Sequence, residues 1–199
     1  KHDPYLKRYV YSLVLENKVL QAISVIKNNE DNSNVNFFDA YLLLIIDSLK
    51  KNDFEKANFY LKKTTFFNQS DRFNSAILES LKQYVHVFKK NEILDNKKNL
   101  GKFSIISETF QRCYLGDGLT DTYFMDLIND GEGDYTRYIF FYLSYLIEKN
   151  RIEEAKEITD NLSYINTTLL LSQCKSWIQN KNSEKLISVF SCKNSNDII

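Results

Sequence analysis

The sequence has a single proline, Pro4, and only five glycines, all of them between residues 101 and 133. Residues 5–95 and 134–199 contain neither residue type. Because both residues destabilise the interior of a helix, their absence over such long stretches favours helices. It also excludes a proline-rich linker protein, and the 43% of apolar residues excludes a chain without a folded core.

An excess of charge of one sign is also lacking, because 26 basic residues balance 26 acidic ones. A general nucleic-acid binder usually has a basic surplus, and adsorption to an anionic membrane needs one as well. The longest purely apolar run, residues 41–46, is far shorter than the roughly 20 residues of a spanning helix. We therefore expect no nucleic-acid partner and no membrane insertion.

Cysteine is scarce, and Cys113, Cys174 and Cys192 are widely spaced with no CxxC pair. An odd number of such residues favours buried, reduced thiols. We therefore expect a cytoplasmic protein. The alternative is the bacterial periplasm, in which case an upstream signal peptide was removed.

Residues that could carry chemistry are few. His2 and His86 are the only histidines, and neither forms a catalytic motif with Cys or Ser. The acidic residues Asp130, Glu132 and Asp134 lack the twelve-residue frame of a calcium loop, and no glycine-rich phosphate loop is present. We expect no catalytic residue, no metal and no cofactor.

Apolar residues recur at helical spacing, most clearly over residues 73–88 and 135–147. No segment alternates with period two, so we predict an all-α protein without a sheet. Asp53, Asp71 and Asp134 are predicted helix caps. The predicted helices form six pairs, separated at three points by loops (29–35, 96–101 and 130–134): 4–16 with 18–28, 36–50 with 53–67, 72–90 with 91–97, 102–115 with 118–129, 135–149 with 151–161, and 164–179 with 183–190.

A short pattern recurs at the turn inside these pairs. Its template is Asn-x-apolar-x-x-Ala, with clear copies at Asn17, Asn52 and Asn150, a degraded copy at Asn91 and a weaker one at Asp117. Asn tolerates the left-handed conformation that ends a helix, and Ala lets two helices cross closely. A helix–turn–helix that recurs about every 34 residues predicts an α-solenoid.

The turns at 52–57 (Asn-Asp-Phe-Glu-Lys-Ala) and 150–155 (Asn-Arg-Ile-Glu-Glu-Ala) resemble the Gly-Asp-Tyr-Glu-Glu-Ala turn of tetratricopeptide repeats (TPRs). The segments around them are similar to bacterial TPR proteins of uncharacterised role. The resemblance implies one right-handed α-solenoid of about six hairpins over residues 1–199. The bulky Val10, Ile45 and Leu143 stand where the family has a small residue. Because the chain begins without Met, we expect a fragment of a longer repeat protein.

The family binds its ligands on a concave face built from first-helix positions. The matching residues here carry mixed charge with apolar patches, which suits an extended peptide or a partner helix. The clamp that grips a C-terminal carboxylate in one subclass is absent, because its Asn positions are Tyr11, Ile46 and Ser144. The predicted groove residues are Lys7, Tyr11, Asp39, Leu42, Ile46, Lys50, Arg137, Phe140 and Ser144, with Val14 and Glu148 beside them.

The resulting hypothesis is a non-catalytic scaffold that binds another protein or a peptide, with a homo-oligomer possible. A helical-repeat RNA-binding protein is the alternative, and the balanced charge counts against it. An enzyme whose site includes residues outside this chain is a third option. The aromatic segment 135–145 is either a stacking surface or a helix packed between two neighbours, and we favour the packed helix.

Overall fold

The computed structural model describes residues 3–30, 35–64, 67, 72–95, 98–99, 101–130, 136–161, 168–180 and 182–193. Within these ranges all regular structure is helical and there is no strand, which confirms the all-α prediction. None of the described helices combines the length and the apolar character needed to cross a bilayer. Internal contacts divide the chain into two compact units, unit 1 (Lys1–Lys98) and unit 2 (Asn99–Ile199).

Unit 1 contains two helical hairpins followed by a long helix. The first hairpin is formed by α1 and α2 and the second by α3 and α4, and α5 packs on α4. Their bounds are α1 Asp3–Leu15, α2 Val19–Asn28, α3 Phe38–Lys50, α4 Phe54–Lys63 and α5 Arg72–Lys90.

The predicted helix at 91–97 is wrong over its described part, because residues 91–95 form bends and a turn. Only Ile93 and Leu94 are apolar in this stretch. So short a segment buries too little apolar surface to offset the unfavourable start of a helix. In the described part of unit 1, α5 therefore has no second helix to complete a third hairpin.

Unit 2 is built around one enclosed helix. α8 follows a 3₁₀ turn at Thr136–Tyr138, and its residues Leu143 and Leu146 are fully buried. This confirms that the described part of the aromatic segment 135–145 is a packed helix. The helices are α6 Lys102–Leu115, α7 Thr120–Ile128, α8 Ile139–Glu148, α9 Ile152–Asn161, α10 Thr168–Gln179 and α11 Glu184–Phe190.

Asn residues end four of the helices in the left-handed conformation. Asn17, Asn52, Asn91 and Asn150 have φ angles of 60°, 56°, 56° and 60°, which confirms this part of the repeat template. At three of these turns the next amide donates to the carbonyl five residues earlier: Lys18 to Leu13 (2.7 Å), Asp53 to Ser48 (2.9 Å) and Arg151 to Leu146 (2.8 Å). That bond satisfies a carbonyl that the helix end leaves without a partner.

The alanines of the template lie where the two helices of a hairpin meet. Ala22, Ala57 and Ala155 are each fully buried near the start of the second helix. Asp53 caps α4 as predicted, because its side chain accepts a hydrogen bond from the Lys56 amide at 3.1 Å. The predicted caps Asp71 and Asp134 lie outside the described residues.

The weak fifth copy of the pattern begins one residue earlier than predicted. Gly116, not Asp117, takes the left-handed conformation, with φ of 65°. Glycine adopts it without a steric penalty. Asp117 instead accepts hydrogen bonds from the Leu119 amide (2.9 Å) and from Arg112 Nη1 (2.7 Å). α7 then begins at Thr120 rather than at residue 118.

The cysteines depart from expectation. Cys113 of α6 and Cys192, two residues beyond α11, form a disulfide with a Cα–Cα distance of 5.6 Å. The predicted reduced thiols are therefore wrong for these two residues. Cys174 is free and buried, in the same core cluster as the disulfide. The sequence does not indicate this pairing, because 79 residues separate the two cysteines.

Replacing Asn52 by Ala should destabilise the protein by about 1 kcal/mol, because a Cβ-bearing residue other than Asn fits the left-handed region poorly. Asn52→Gly should be neutral or stabilising. The matched control is Asn58→Ala inside α4, where the backbone is helical and Ala is favoured. Urea denaturation measures all three changes, and an Asn52→Ala variant as stable as Asn58→Ala would contradict the role given to this turn.

Candidate protein-interaction surface

The predicted groove residues of unit 1 lie on α1 and α3. Along each helix they are spaced by three or four residues, which places them on one face. We call this set the α1–α3 surface. Its members are Lys7, Tyr11 and Val14 on α1 and Asp39, Leu42, Ile46 and Lys50 on α3.

A polar contact joins the two helices at this surface. The Tyr11 hydroxyl donates a hydrogen bond of 2.6 Å to Asp39 Oδ2. Burial, the hydrogen bond to Asp39 and the charge of that carboxylate together raise the pKa of Tyr11 to about 12. The hydroxyl therefore keeps its proton at neutral pH and remains the donor to Asp39.

Lys7 and Phe37 complete the contact around Tyr11. The ring of Phe37 meets the ring of Tyr11 edge-on, with centroids 6.5 Å apart. Lys7 Nζ lies 5.4 Å from the Tyr11 centroid and 6.0 Å from that of Phe37, within range of a cation–π interaction. Phe37 is not among the predicted groove residues, although an aromatic residue immediately before α3 is well placed to pack against the start of that helix.

The rest of the surface is apolar in its middle and basic at one end. Leu42 and Ile46 are half-buried, so part of each side chain meets solvent. Lys50 is exposed one turn further along α3. The four predicted groove positions of α3 therefore run from a carboxylate bound by Tyr11, across two aliphatic side chains, to a cation.

The buried carboxylate of Asp47 connects α3 to α2 beside this surface. Asp47 is nearly fully buried, and it accepts hydrogen bonds from Lys27 of α2 (2.8 Å) and from Lys51 (2.9 Å). Burial alone would raise the pKa of Asp47, but the hydrogen bonds and charges of the two lysines outweigh it and lower the pKa below its ordinary value. The i,i+4 spacing of Asp47 and Lys51 is visible in the sequence. The contact with Lys27 is not, because it joins two different helices.

The predicted groove residues of unit 2 are not together on an open surface. Arg137 is exposed, with its guanidinium 5.1 Å from the Tyr138 ring centroid. Phe140 and Ser144, however, are 1% and 0% exposed, so neither can line a surface groove. The physical reason is that α11 packs on α8, with Phe190 stacked on Phe140 at 5.5 Å.

The histidines and the acidic loop form no metal-binding cluster within the described ranges. His86 Nε2 lies 3.3 Å from Glu92 Oε1, an ordinary surface pair. No described group of three or more His, Cys, Asp or Glu residues is placed to hold a metal ion. Of the acidic loop, only Asp130 is described, and its carboxylate pairs with Lys102; His2 lies outside the described residues.

Replacing Asp47 by Asn should destabilise the protein at pH 7 by about 2 kcal/mol, because two charge-assisted hydrogen bonds are lost. The pKa of Asp47 is lowered in the folded state. The carboxylate therefore stabilises the fold at pH values above its ordinary pKa of 3.8, and this stabilisation is lost as the pH falls through the folded pKa. Urea denaturation from pH 7 to pH 3 should show the two proteins converging in acid. The control is Asp126→Asn at an exposed position of α7, and a pH-independent difference for Asp47→Asn would refute the assignment.

Comparison with models of known protein families finds no match to this chain. Comparisons with curated proteins and with solved structures find no similar protein either. The case for a function therefore depends on the geometry of the chain's own residues. Of the residues that the sequence proposed for a groove, the seven on α1 and α3 form the one set that the described part of the structure brings together on a shared, partly exposed face.

Proposed function

We propose that the chain is a non-catalytic, TPR-like scaffold that binds another protein or a peptide through the α1–α3 surface. The observation that carries this proposal is the Tyr11–Asp39 hydrogen bond, which joins the equivalent faces of two successive first helices. In the proposed scaffold, two helices joined in this way present one continuous surface to a partner. A surface of this kind suits an elongated ligand.

The repeating hairpin supports the scaffold proposal. Asn17 and Asn52 end α1 and α3 in the same conformation, and Ala22 and Ala57 are buried at the same point of the following helix. A hairpin that repeats in this way stacks its first helices side by side, which is how helical-repeat proteins build binding surfaces. The proposed arrangement for the whole chain is a TPR-like solenoid.

The side chains of the surface indicate what the partner offers. Leu42 and Ile46 present aliphatic surface, whereas Lys7 and Lys50 present positive charge. An extended or helical segment with apolar side chains and a flanking carboxylate would match both features. The lysines also supply amines at which a bound partner could be crosslinked.

Replacing Ile46 by Lys should reduce capture of the partner by about tenfold or more, because it puts a charge into the apolar middle of the surface. Amine-reactive crosslinking followed by mass spectrometry should show crosslinks from Lys7 or Lys50 to the captured protein. The matched control is Leu20→Lys, since Leu20 is 76% exposed on α2 and outside the surface. Phe140 is unsuitable for this test, because a charge at that buried position would disrupt the core.

Equal capture by the Ile46→Lys and Leu20→Lys proteins would contradict the proposed surface. Far-UV circular dichroism and urea denaturation should show that both variants keep the fold of the unchanged protein. Loss of capture in both variants, without loss of fold, would place the binding surface elsewhere.

We also propose that the protein functions in an oxidising compartment, such as the bacterial periplasm. The disulfide between Cys113 and Cys192 supports this location, because such bonds persist mainly outside the reducing cytosol. The reason for favouring the cytoplasm was the expectation of reduced thiols, and it no longer applies to these two residues.

Alkylation of the unreduced protein in denaturant should label Cys174 and leave Cys113 and Cys192 unlabelled. After reduction, all three should be labelled, and peptide mass spectrometry distinguishes them. In the folded protein Cys174 should react slowly, because burial raises the pKa of its thiol to about 11 and keeps it protonated. Labelling of all three cysteines before reduction, in protein isolated under air without reductant, would contradict the Cys113–Cys192 pairing.

A further inference from the structure

α11 lies on α8, although its neighbour along the chain is α10. Its main contacts are with α8, and Leu186 is fully buried there in the core cluster of unit 2. The Phe190 ring stacks on Phe140 at 5.5 Å and meets Phe141 edge-on at 5.3 Å. The short helix therefore covers a face of α8 that its own hairpin partner leaves open.

Three tethers hold α11 in this position. Ser191 Oγ donates a hydrogen bond of 2.8 Å to Glu148 Oε1, and Lys193 Nζ lies 3.2 Å from Glu148 Oε2. Between these two residues, Cys192 is covalently bound to Cys113 of α6. A helix of seven residues has little stability of its own in water, so its place depends on these contacts and on Phe190.

The face beneath α11 carries polar groups that a permanent core would not favour. Phe140, Ser144 and Glu148 follow one another at intervals of four residues and so share one side of α8. Ser144 Oγ is buried and has no hydrogen-bond partner, although buried hydroxyls in proteins normally have one. Because Phe190 contacts Phe140 and Ser191 contacts Glu148, Ser144 lies between the two points where the covering segment is attached.

We propose that this side of α8, formed by Phe140, Phe141, Ser144 and Glu148, is a docking face for a short amphipathic helix. α11 is its resident occupant, and the Cys113–Cys192 disulfide locks α11 in place until a dithiol reductant opens it. The disulfide thereby controls whether the face is available to a partner. The proposal does not depend on the α1–α3 surface of unit 1.

The resident helix indicates what an incoming helix would present. Leu186 and Ile187 precede Phe190 by four and three residues, so the three side chains share one apolar face. Lys193 then supplies the cation that meets Glu148. A partner helix with an aliphatic residue, a phenylalanine one turn later and a lysine shortly after it would make the same contacts.

The opening reaction is a thiol–disulfide exchange. Cys113 and Cys192 are 1% and 3% exposed, so the exchange requires the chain after α11 to open locally. A thiolate of the dithiol then attacks one sulfur of the Cys113–Cys192 bond and forms a mixed disulfide. The second thiol of the reductant displaces the remaining protein sulfur. Two electrons and two protons pass to the protein, which holds two thiols, and the reductant leaves as a disulfide. Cys174 does not compete, because its burial raises the pKa of its thiol to about 11.

The first test measures release of α11 in the unchanged protein by amide hydrogen exchange and mass spectrometry. Reduction with a phosphine should accelerate exchange over residues 184–190 by at least about tenfold, because the covalent tether is lost. Exchange over α1–α5 should not change, and far-UV circular dichroism should show that the remaining helices persist. Equal protection of α11 in oxidised and reduced protein would overturn the proposed lock.

The second test measures docking with a fluorescent peptide of residues 182–193 in which Cys192 is replaced by Ser. Fluorescence anisotropy should show binding to the reduced protein and at least about tenfold weaker binding to the oxidised protein, whose face is occupied. A Phe190→Ala peptide is the matched control and should bind neither form. Release of α11 without peptide binding would overturn the docking face, and equal binding to both redox forms would overturn the control by the disulfide.

The same peptide titration distinguishes the docking face on α8 from the α1–α3 surface of the proposed function. The Ile46→Lys protein should bind the peptide as the unchanged protein does when both are reduced, because Ile46 belongs to unit 1. A Ser144→Ala protein should still bind it, whereas Glu148→Gln should weaken binding, since Lys193 of the peptide loses its charged partner. Loss of peptide binding in the Ile46→Lys protein would contradict the assignment of the docking face to α8.

Discussion

The left-handed turn residue is the constraint on which the rest of this structure depends. A residue with positive φ at the end of the first helix lets the chain reverse within three or four residues, so the second helix begins beside the first. Asn takes this conformation at four helix ends and Gly116 at a fifth. Within the described residues a second helix follows four of these five turns, and Asn91 is the exception. Because the turn is so short, the second helix of a hairpin starts close to the first. The small, fully buried side chains of Ala22, Ala57 and Ala155 fit between the two helices at this point.

One position of the first helices departs from the pattern of the resembled family. Val10, Ile45 and Leu143 stand where the resembled family has a small residue, and all three are fully buried. Bulky side chains at these positions hold neighbouring elements further apart than small ones do. They are a physical reason for an irregular repeat. Unit 2 shows such an irregularity, because α11 packs chiefly on α8 and not on α10.

The sequence predicted the helices well because period and composition are local properties. α5 and α6 have the predicted bounds, and every other predicted helix except 91–97 is found with ends that, where the structure describes them, lie within a few residues of the prediction. The turn at Gly116 was placed one residue late because Gly116 and Asp117 are both typical turn residues. The disulfide, the contact between Asp47 and Lys27 and the cover over α8 could not be predicted, since each joins residues that are distant in the sequence.

One template position shows where local prediction ends. Tyr11, Ile46 and Ser144 occupy equivalent places on α1, α3 and α8, and the sequence gives all three the same expected exposure. Tyr11 is 38% exposed, Ile46 is half-buried and Ser144 is fully buried. The helix that carries Ser144 differs from α1 and α3 because α11, which is encoded some 40 residues later, packs on it, and Cys192 beyond α11 is bound to Cys113. Equivalent surfaces of repeating helices can therefore differ in availability without any change in the helices that form them, because a separate tethered segment decides which surface is open.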